Sequence, residues 1–289
     1  MKKIIACLTL FIMTFAAFAE SGSDSNFGKS ANAEAKYFAW IFEKKKTPTT
    51  TTTVRSAVNE TKEKFIYVEG NDMVSSFYIC DHEVTHAEYV AVIGSNPSEF
   101  KGENKPIECV SWYDAVEYCN KLSQKEGLTQ CYSKDNNGNW SWNKSANGYR
   151  LPTEVEWEYA ARGGKNTTGY TYSGSDDINS VAWYDSNACD VESDSPDYGT
   201  HNVKTKQPNE LGIYDMSGNV WEWCWDWYDS IPSNPGKDYA GPMSGDYRVD
   251  RGGCWYVSAD DCSVSSRRDD NPNYGNCNIG FRVVRPSGR

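Results

Sequence analysis

The sequence predicts an α+β domain with few helices, short strands and much irregular loop. Three observations carry this expectation. Capping boxes at Thr85, Ser111 and Thr153 mark separate helix starts. Trp221, Trp223, Trp225 and Trp227 alternate with Glu222, Cys224 and Asp226, a period of two and hence a strand. From Phe65 to the C-terminus, turn residues and aromatics recur with no second linker, which fits a loop-rich mixed domain.

Each element follows from local chemistry. Thr85 with Glu88 opens the first helix, Tyr89, Val92 and Ile93 share one face of it, and Gly94 closes it. Ser111 with Asp114 opens the second. Trp112, Ala115, Val116, Cys119 and Leu122 make its apolar stripe, and Gly127 ends it. Thr153 with Glu156 opens the third, stopped by Gly163-Gly164. Val283-Val284 suggests a last strand.

The chain has 289 residues, room for one large domain or two small ones. Lys+Arg is 29 against 40 Asp+Glu, a net charge of -11 that repels phosphate backbones and speaks against nucleic-acid partners. Aromatics at 14% are too many for a disordered acidic protein. Mean hydropathy is -0.70, and the only long apolar run is N-terminal, which excludes a multi-span membrane protein.

That run reads as an export signal: basic Lys2-Lys3, apolar Ile4 to Phe15, and the cleavage site Ala17-Phe18-Ala19. Residues 1–19 are therefore a signal peptide, too short in its apolar part to span a bilayer, and the mature chain starts at Glu20. Cys7 sits too early to carry a lipid anchor. Residues 20–62 read as a flexible stalk or linker, with a Thr-rich run at 47–53 and one apolar island, Tyr37 to Phe42. Residues 63–289 read as a single domain. Of ten cysteines nine remain after cleavage, an odd number, and no C-x-x-C occurs. The expected destination after export is the cell surface or outer envelope, with the periplasm or the medium as the alternatives.

His82-Glu83-Val84-Thr85-His86 matches H-E-x-x-H, a zinc-protease string that needs both imidazoles on one helical turn. With Thr85 as N-cap, His82 and Glu83 precede the helix and the rings do not stack. His201 is the only other histidine.

Three strings are more specific. They are Tyr149-Arg150-Leu151-Pro152-Thr153-Glu154-Val155-Glu156-Trp157, then Asn209-Glu210-Leu211-Gly212 through Gly218-Asn219-Val220-Trp221-Glu222-Trp223, and Arg251-Gly252-Gly253 with the later Gly280-Phe281-Arg282. In this order they resemble the formylglycine-generating-enzyme-type domain, also called the sulfatase-modifying-factor domain, from about Phe65 to Arg285. The resemblance implies a C-type-lectin-like fold. It also implies, in the enzymes that oxidise a peptidyl cysteine, copper(I) held by two thiolates, a soft-ligand site. Those thiolates lie four and nine residues past Gly-Gly. Here these positions are Val257 and Cys262, so the first ligand is missing. Cys254 directly follows the glycines and looks like a strand start. The copper oxidase is therefore the alternative reading.

The segment 254–279 has a composition of its own. It holds Asp260, Asp261, Asp269, Asp270, Asn271, Asn273, Asn276 and Asn278, with no Glu, Gln, Lys or Met. Apart from Trp255, its residues can be written with pyrimidine-ending codons or reached from Asn codons by changing adenines. It resembles the variable region of a diversity-generating retroelement, in the branch whose variable proteins share this lectin-type domain. That resemblance implies a non-enzymatic, exported binding protein whose partner is a variable protein or cell-surface ligand. The implied ligand-binding positions are Tyr256, Ser258, Asp260, Asp261, Ser263, Ser265, Ser266, Arg268, Asp269, Asp270, Asn271, Asn273, Tyr274, Gly275, Asn276, Cys277 and Asn278. Tyr, Ser, Asn and Asp are residues that adaptable binding loops use.

The family resemblance further implies a structural calcium at Ser217, Gly218, Val220 and Glu222, since hard oxygens suit that ion. The other reading of Glu222 is a buried acid bonded to backbone N–H groups. Trp183, Trp221, Trp223 and Trp225 read as core rather than as a sugar platform.

Overall fold

The computed structural model describes residues 64–136 and 138–288. Residues 1–63, on which the expected signal peptide and stalk fall, lie outside the described residues. Strands β1 (Phe65–Val68) and β2 (Phe77–Cys80) open the domain. The three capping boxes then form as the sequence predicts. Thr85, Ser111 and Thr153 each accept from the backbone N–H three residues on, and Glu88, Asp114 and Glu156 reach back to the cap. They start α1 (His86–Ile93), α2 (Trp112–Lys125) and α3 (Glu154–Ala161). The predicted stripe of α2 is buried, and Gly94, Gly127 and Gly163 follow the helices with φ of 90°, 70° and 83°, a region that costs glycine little.

A short hairpin, β3 (Tyr132–Lys134) with β4 (Trp140–Trp142), lies between α2 and α3. A single turn, α4 (Ile178–Val181), and a wide five-residue turn, Asp185–Cys189, come next. The alternating run forms β5 (Trp221–Trp227), followed by β6 (Arg248–Arg251), β7 (Arg267–Asp270), β8 (Ile279–Gly280) and β9 (Val284–Pro286). One sheet has the order β1-β2-β9 and is antiparallel. The other has the order β7-β6-β5-β8, with β8 parallel to β5. The core joins both sheets to α3 through Val68, Phe77, Ile79, Trp157, Ala160, Met216, Val249 and Val284. Trp157 is fully buried, and truncating such a residue to alanine costs about 3–5 kcal/mol. All nine described cysteines are thiols, so no disulfide among the described residues holds the fold.

A row of charge crosses the larger sheet. The register places Glu222, Arg251 and Arg267 side by side, and strand neighbours at one register point to one face. Helix α3 answers from above. Glu154 takes Arg267 at 2.5 and 2.8 Å, and Glu158 takes Arg251. Arg150 is paired to Glu156 at 2.6 Å by both terminal nitrogens. The three sequence strings thus supply a buried ionic frame.

Candidate functional site

The segment 254–279 leaves the frame at β6 and re-enters it at β8. Gly252 and Gly253 have φ of 101° and 79°, and a Cβ on Gly253 would stand 2.5 Å from Cys262 Sγ. Only glycine lets the chain turn out here. Trp255 is fully buried, donates from Nε1 to the Cys277 carbonyl at 3.2 Å, and meets Phe100 and Tyr198 edge to face. This anchors both ends of the segment. Between them a 3-10 turn (Ala259–Cys262), β7 and a turn at 271–274 run along the outside.

The structure sorts the sequence-predicted binding positions. Asp260, Asp261, Ser265, Asn271, Asn273, Tyr274 and Gly275 are exposed. Ser258, Ser263, Ser266, Arg268, Asp269, Asp270 and Asn276 are half-buried. Tyr256, Cys277 and Asn278 are buried and do not face solvent, so they are corrected to core positions. The physical reason is re-entry: Asn278 must hand its carbonyl to the Trp221 N–H at 2.7 Å to seat β8. Gly275 is exposed yet constrained, since a Cβ there would lie 3.0 Å from the Cys109 backbone. Short local bonds shape the outer turns. Ser258 Oγ donates to Asp261 at 2.9 Å, Asn273 N to Asn271 Oδ1 at 3.0 Å, and Asn276 Nδ2 to Tyr274 Oη at 2.9 Å.

Sequence reasoning missed two residues of this site. Arg267 is held bidentately by Glu154, which fixes β7 to the frame. Asp250 lies beneath Arg268 with no exposure. Burial raises its pKa well above the carboxylate range, with Arg268 pulling the other way. No local signal marks either one, because both roles depend on cross-strand register.

The expected calcium does not fit. Glu222 Oε2 accepts from Arg282 Nε at 2.7 Å and Trp157 Nε1 at 2.8 Å, and Oε1 accepts from Arg282 Nη2 at 2.7 Å. A guanidinium already neutralises the carboxylate that calcium would need. Ser217 spends its hydroxyl on the Cys262 carbonyl at 2.8 Å. Gly218 donates its N–H to the Gly252 carbonyl, and the Val220 N–H goes to Glu83 at 3.2 Å. These bonds shape the turn, and the calcium reading fails at Glu222, whose two carboxylate oxygens are both taken by protein donors.

The H-E-x-x-H string is likewise not a zinc site. His82 Nδ1 meets Asp81 at 2.6 Å and Nε2 meets Glu88 at 3.1 Å, while His86 Nδ1 faces Asn96 at 3.1 Å. Burial opposes protonation of His82, but Cys80, Asp81 and Glu88 prevail and raise its pKa to about 12. Cys80, Asp81 and His82 bring their ligand atoms within 4.8 Å. With Lys204 on Asp81 at 2.8 Å, the group reads as an imidazolium ion network. Trp221 and Trp223 are core, as expected. Trp225 stacks on Tyr132, and the half-buried Trp183 stacks on His201 at 3.5 Å.

Comparison with known proteins agrees with this architecture. The sulfatase-modifying factor enzyme 1-like domain model matches residues 42–287. Chaperone protein LppX of Paenibacillus barcinonensis is 41% identical over 249 residues, 77% of this chain and 84% of that protein. The formylglycine-generating enzyme of Streptomyces coelicolor is 32% identical over 192 residues, 63% of this chain and 52% of the enzyme, so the match spans about half of that relative. Among solved structures, Treponema denticola variable protein 1 shows 35% identity and a TM-score of 0.66, covering 78% of this chain and 92% of that one. The α+β architecture is the C-type-lectin-like fold of this group, and no helix among the described residues is long and apolar enough to cross a membrane. With its matched domain, its three strings and their buried ionic frame, the chain belongs to the sulfatase-modifying factor enzyme 1-like family.

Proposed function

We propose that this protein is a non-enzymatic ligand-binding protein, exported and displayed at the cell surface. Its outer loop, roughly 258–276, recognises a protein or cell-surface ligand, and a retroelement rewrites that loop. One observation carries the reading. Within 251–282 the ends are locked into the ionic frame through Arg251 and Arg282, while fourteen of the seventeen positions that the resemblance marks for binding are exposed or half-buried. Stability and recognition are thereby separated. The likeness to a structure titled variable protein supports the same reading.

Against the copper oxidase stands Val257, buried where the resemblance calls for the first thiolate. The identity to a protein named as a chaperone favours a second reading, in which the same face holds a client polypeptide.

The test is a full chain carrying S258N, D260Y, D261S, S265Y, N273D and Y274S together. Surface changes of this kind each lie within about 0.5 kcal/mol. The melting temperature should therefore move by only a few degrees, while adhesion of the protein to host-cell or bacterial surfaces changes. Unfolding would overturn the division into frame and loop. Turnover of a cysteine-containing peptide by the copper-loaded chain would overturn the non-enzymatic reading. Suppression of client aggregation would favour the chaperone.

A further inference from the structure

Arg248 opens β6 and is 3% exposed, yet no carboxylate among the described residues pairs with it. Its surroundings are aromatic. The ring centroids of Trp227 and Trp112 lie 3.4 and 3.8 Å from its Cζ, and that of Trp225 lies 5.1 Å away. Two rings so close to a trigonal carbon take its opposite faces, since one face has no room for both. The guanidinium is thus clamped and offers its edges alone. Nη1 donates to the Trp225 carbonyl. Nε is buried without an acceptor, and Nη2, on the same edge, has no acceptor among the described residues and reaches solvent. Two other arginines of the domain spend this same edge on a glutamate. Arg267 holds Glu154 through Nε and Nη2 at 2.5 and 2.8 Å, and Arg282 holds Glu222 through Nε and Nη2 at 2.7 Å each. The acids around Arg248 do not take that role. Asp270, opposite it in the register, holds Arg268 at 2.9 Å. Asp226 acts on Arg248 through space, and burial raises its pKa to about 8, which keeps it mostly neutral at neutral pH.

We propose that Arg248, walled by Trp112 and Trp227, is a binding site for one carboxylate, the acidic side chain of a polypeptide ligand, which enters in the plane of the guanidinium and accepts from Nε and Nη2. A buried guanidinium without a counter-charge is costly, and its unmet donor calls for an acceptor. The indole faces offset part of that cost but accept nothing at the Nε edge. A carboxylate matches this fork in geometry and in charge. The slot also selects the stem. Because Nε is buried, the carboxylate passes between the rings, which admit a flat group on an unbranched methylene chain. A tetrahedral phosphate is thicker than that. A sugar acid carries its carboxylate directly on a ring carbon, and the indoles hold that ring off.

The site goes beyond the recognition reading and does not depend on it, since Arg248 lies outside 254–279. A ligand on the outer loop is nonetheless adjacent, because Asp270 is the register neighbour of Arg248.

The test uses the full-length chain at neutral pH, with N-acetyl-glutamate α-methylamide, its side-chain carboxylate free, as probe. The neutral N-acetyl-glutamine methylamide and methyl glucuronide are the controls. The Arg248 Nε–H resonance, assigned through the bonds of its own side chain, is the reporter. The glutamate probe should shift it saturably and bind about tenfold more tightly than either control, the scale of hydrogen bonds to a charged group. Arg248→Lys keeps the positive charge but lacks the fork, and should weaken binding about tenfold, read from the Trp227 indole N–H. Equal binding of the glutamine control, or glutamate binding that leaves the Arg248 resonance unmoved, overturns the site, and so does binding that survives Arg248→Lys. Equal binding of the glucuronide overturns the assignment to a polypeptide side chain. If Arg248→Lys does not fold, the charge selectivity of the parent chain and the Arg248 resonance decide.

Discussion

Glu222 accepts three hydrogen bonds from two side chains and has no exposure to water, so its charge is tied to Arg282. Removing one member of a buried pair strands the other, which costs about 3–5 kcal/mol. Glu222→Gln should lower the stability of the domain by that amount in urea unfolding. A loss under about 1 kcal/mol would show that Arg282 finds another partner. The same geometry predicts that a calcium chelator leaves the melting temperature of the parent protein unchanged, and a clear fall would return the ion to this turn. The string around Glu222 was legible in the sequence. Its partner was not, because Arg282 stands sixty residues away and meets it through the parallel pairing of β5 with β8.

Strand β7 shows the same limit for a whole element. Arg267-Arg268-Asp269-Asp270 has neither apolar alternation nor β-branched residues, so nothing local announces a strand. Its pairing with β6 and the grip of Glu154 on Arg267 make it one. The helices were legible for the opposite reason, since each capping box closes within four residues. Two predictions separate frame from loop on this strand. Arg267→Ser releases Glu154, whose carboxylate is nearly buried, and should cost about 2 kcal/mol, in the range for hydrogen bonds to charged groups. Ser265→Tyr, two residues before it and exposed, should change stability by less than about 0.5 kcal/mol. Chemical denaturation of both variants checks the pair, and equal losses would mean that β7 is not divided in this way. Thr153→Ala removes the cap of α3 and should cost about 1 kcal/mol by the same measurement.

The molecule as a whole buries more ionisable groups than its loop-rich sequence suggests, and they set its response to pH. Burial raises the pKa of Asp215 to about 6, of Glu108 to about 7 and of Asp226 to about 8, and raises Glu83 as well. An acid that ionises near 4 when unfolded and later when folded destabilises the fold as pH rises between the two values. His82 acts in the same direction. Its pKa of about 12 in the fold means that its contribution is complete below about 6.5 and declines above that. His86 and His201 oppose these groups. Burial lowers both to about 4, so their contribution is complete above about 6.5 and is lost as pH falls towards 4. Between pH 5 and 6.5 the four acids outweigh the two histidines. Above 6.5 the histidines no longer compensate and His82 joins the acids. The melting temperature should therefore fall gently from pH 5 to 6.5 and more steeply from 6.5 to 8, at fixed ionic strength. Asp226 provides the control. It accepts the Glu154 N–H at 2.9 Å, a bond that asparagine can keep. Asp226→Asn should thus flatten the slope between pH 6.5 and 8 without lowering the value at pH 5. A parent curve that rises across this range, or an unchanged slope in the variant, would show that these acids are solvated in solution.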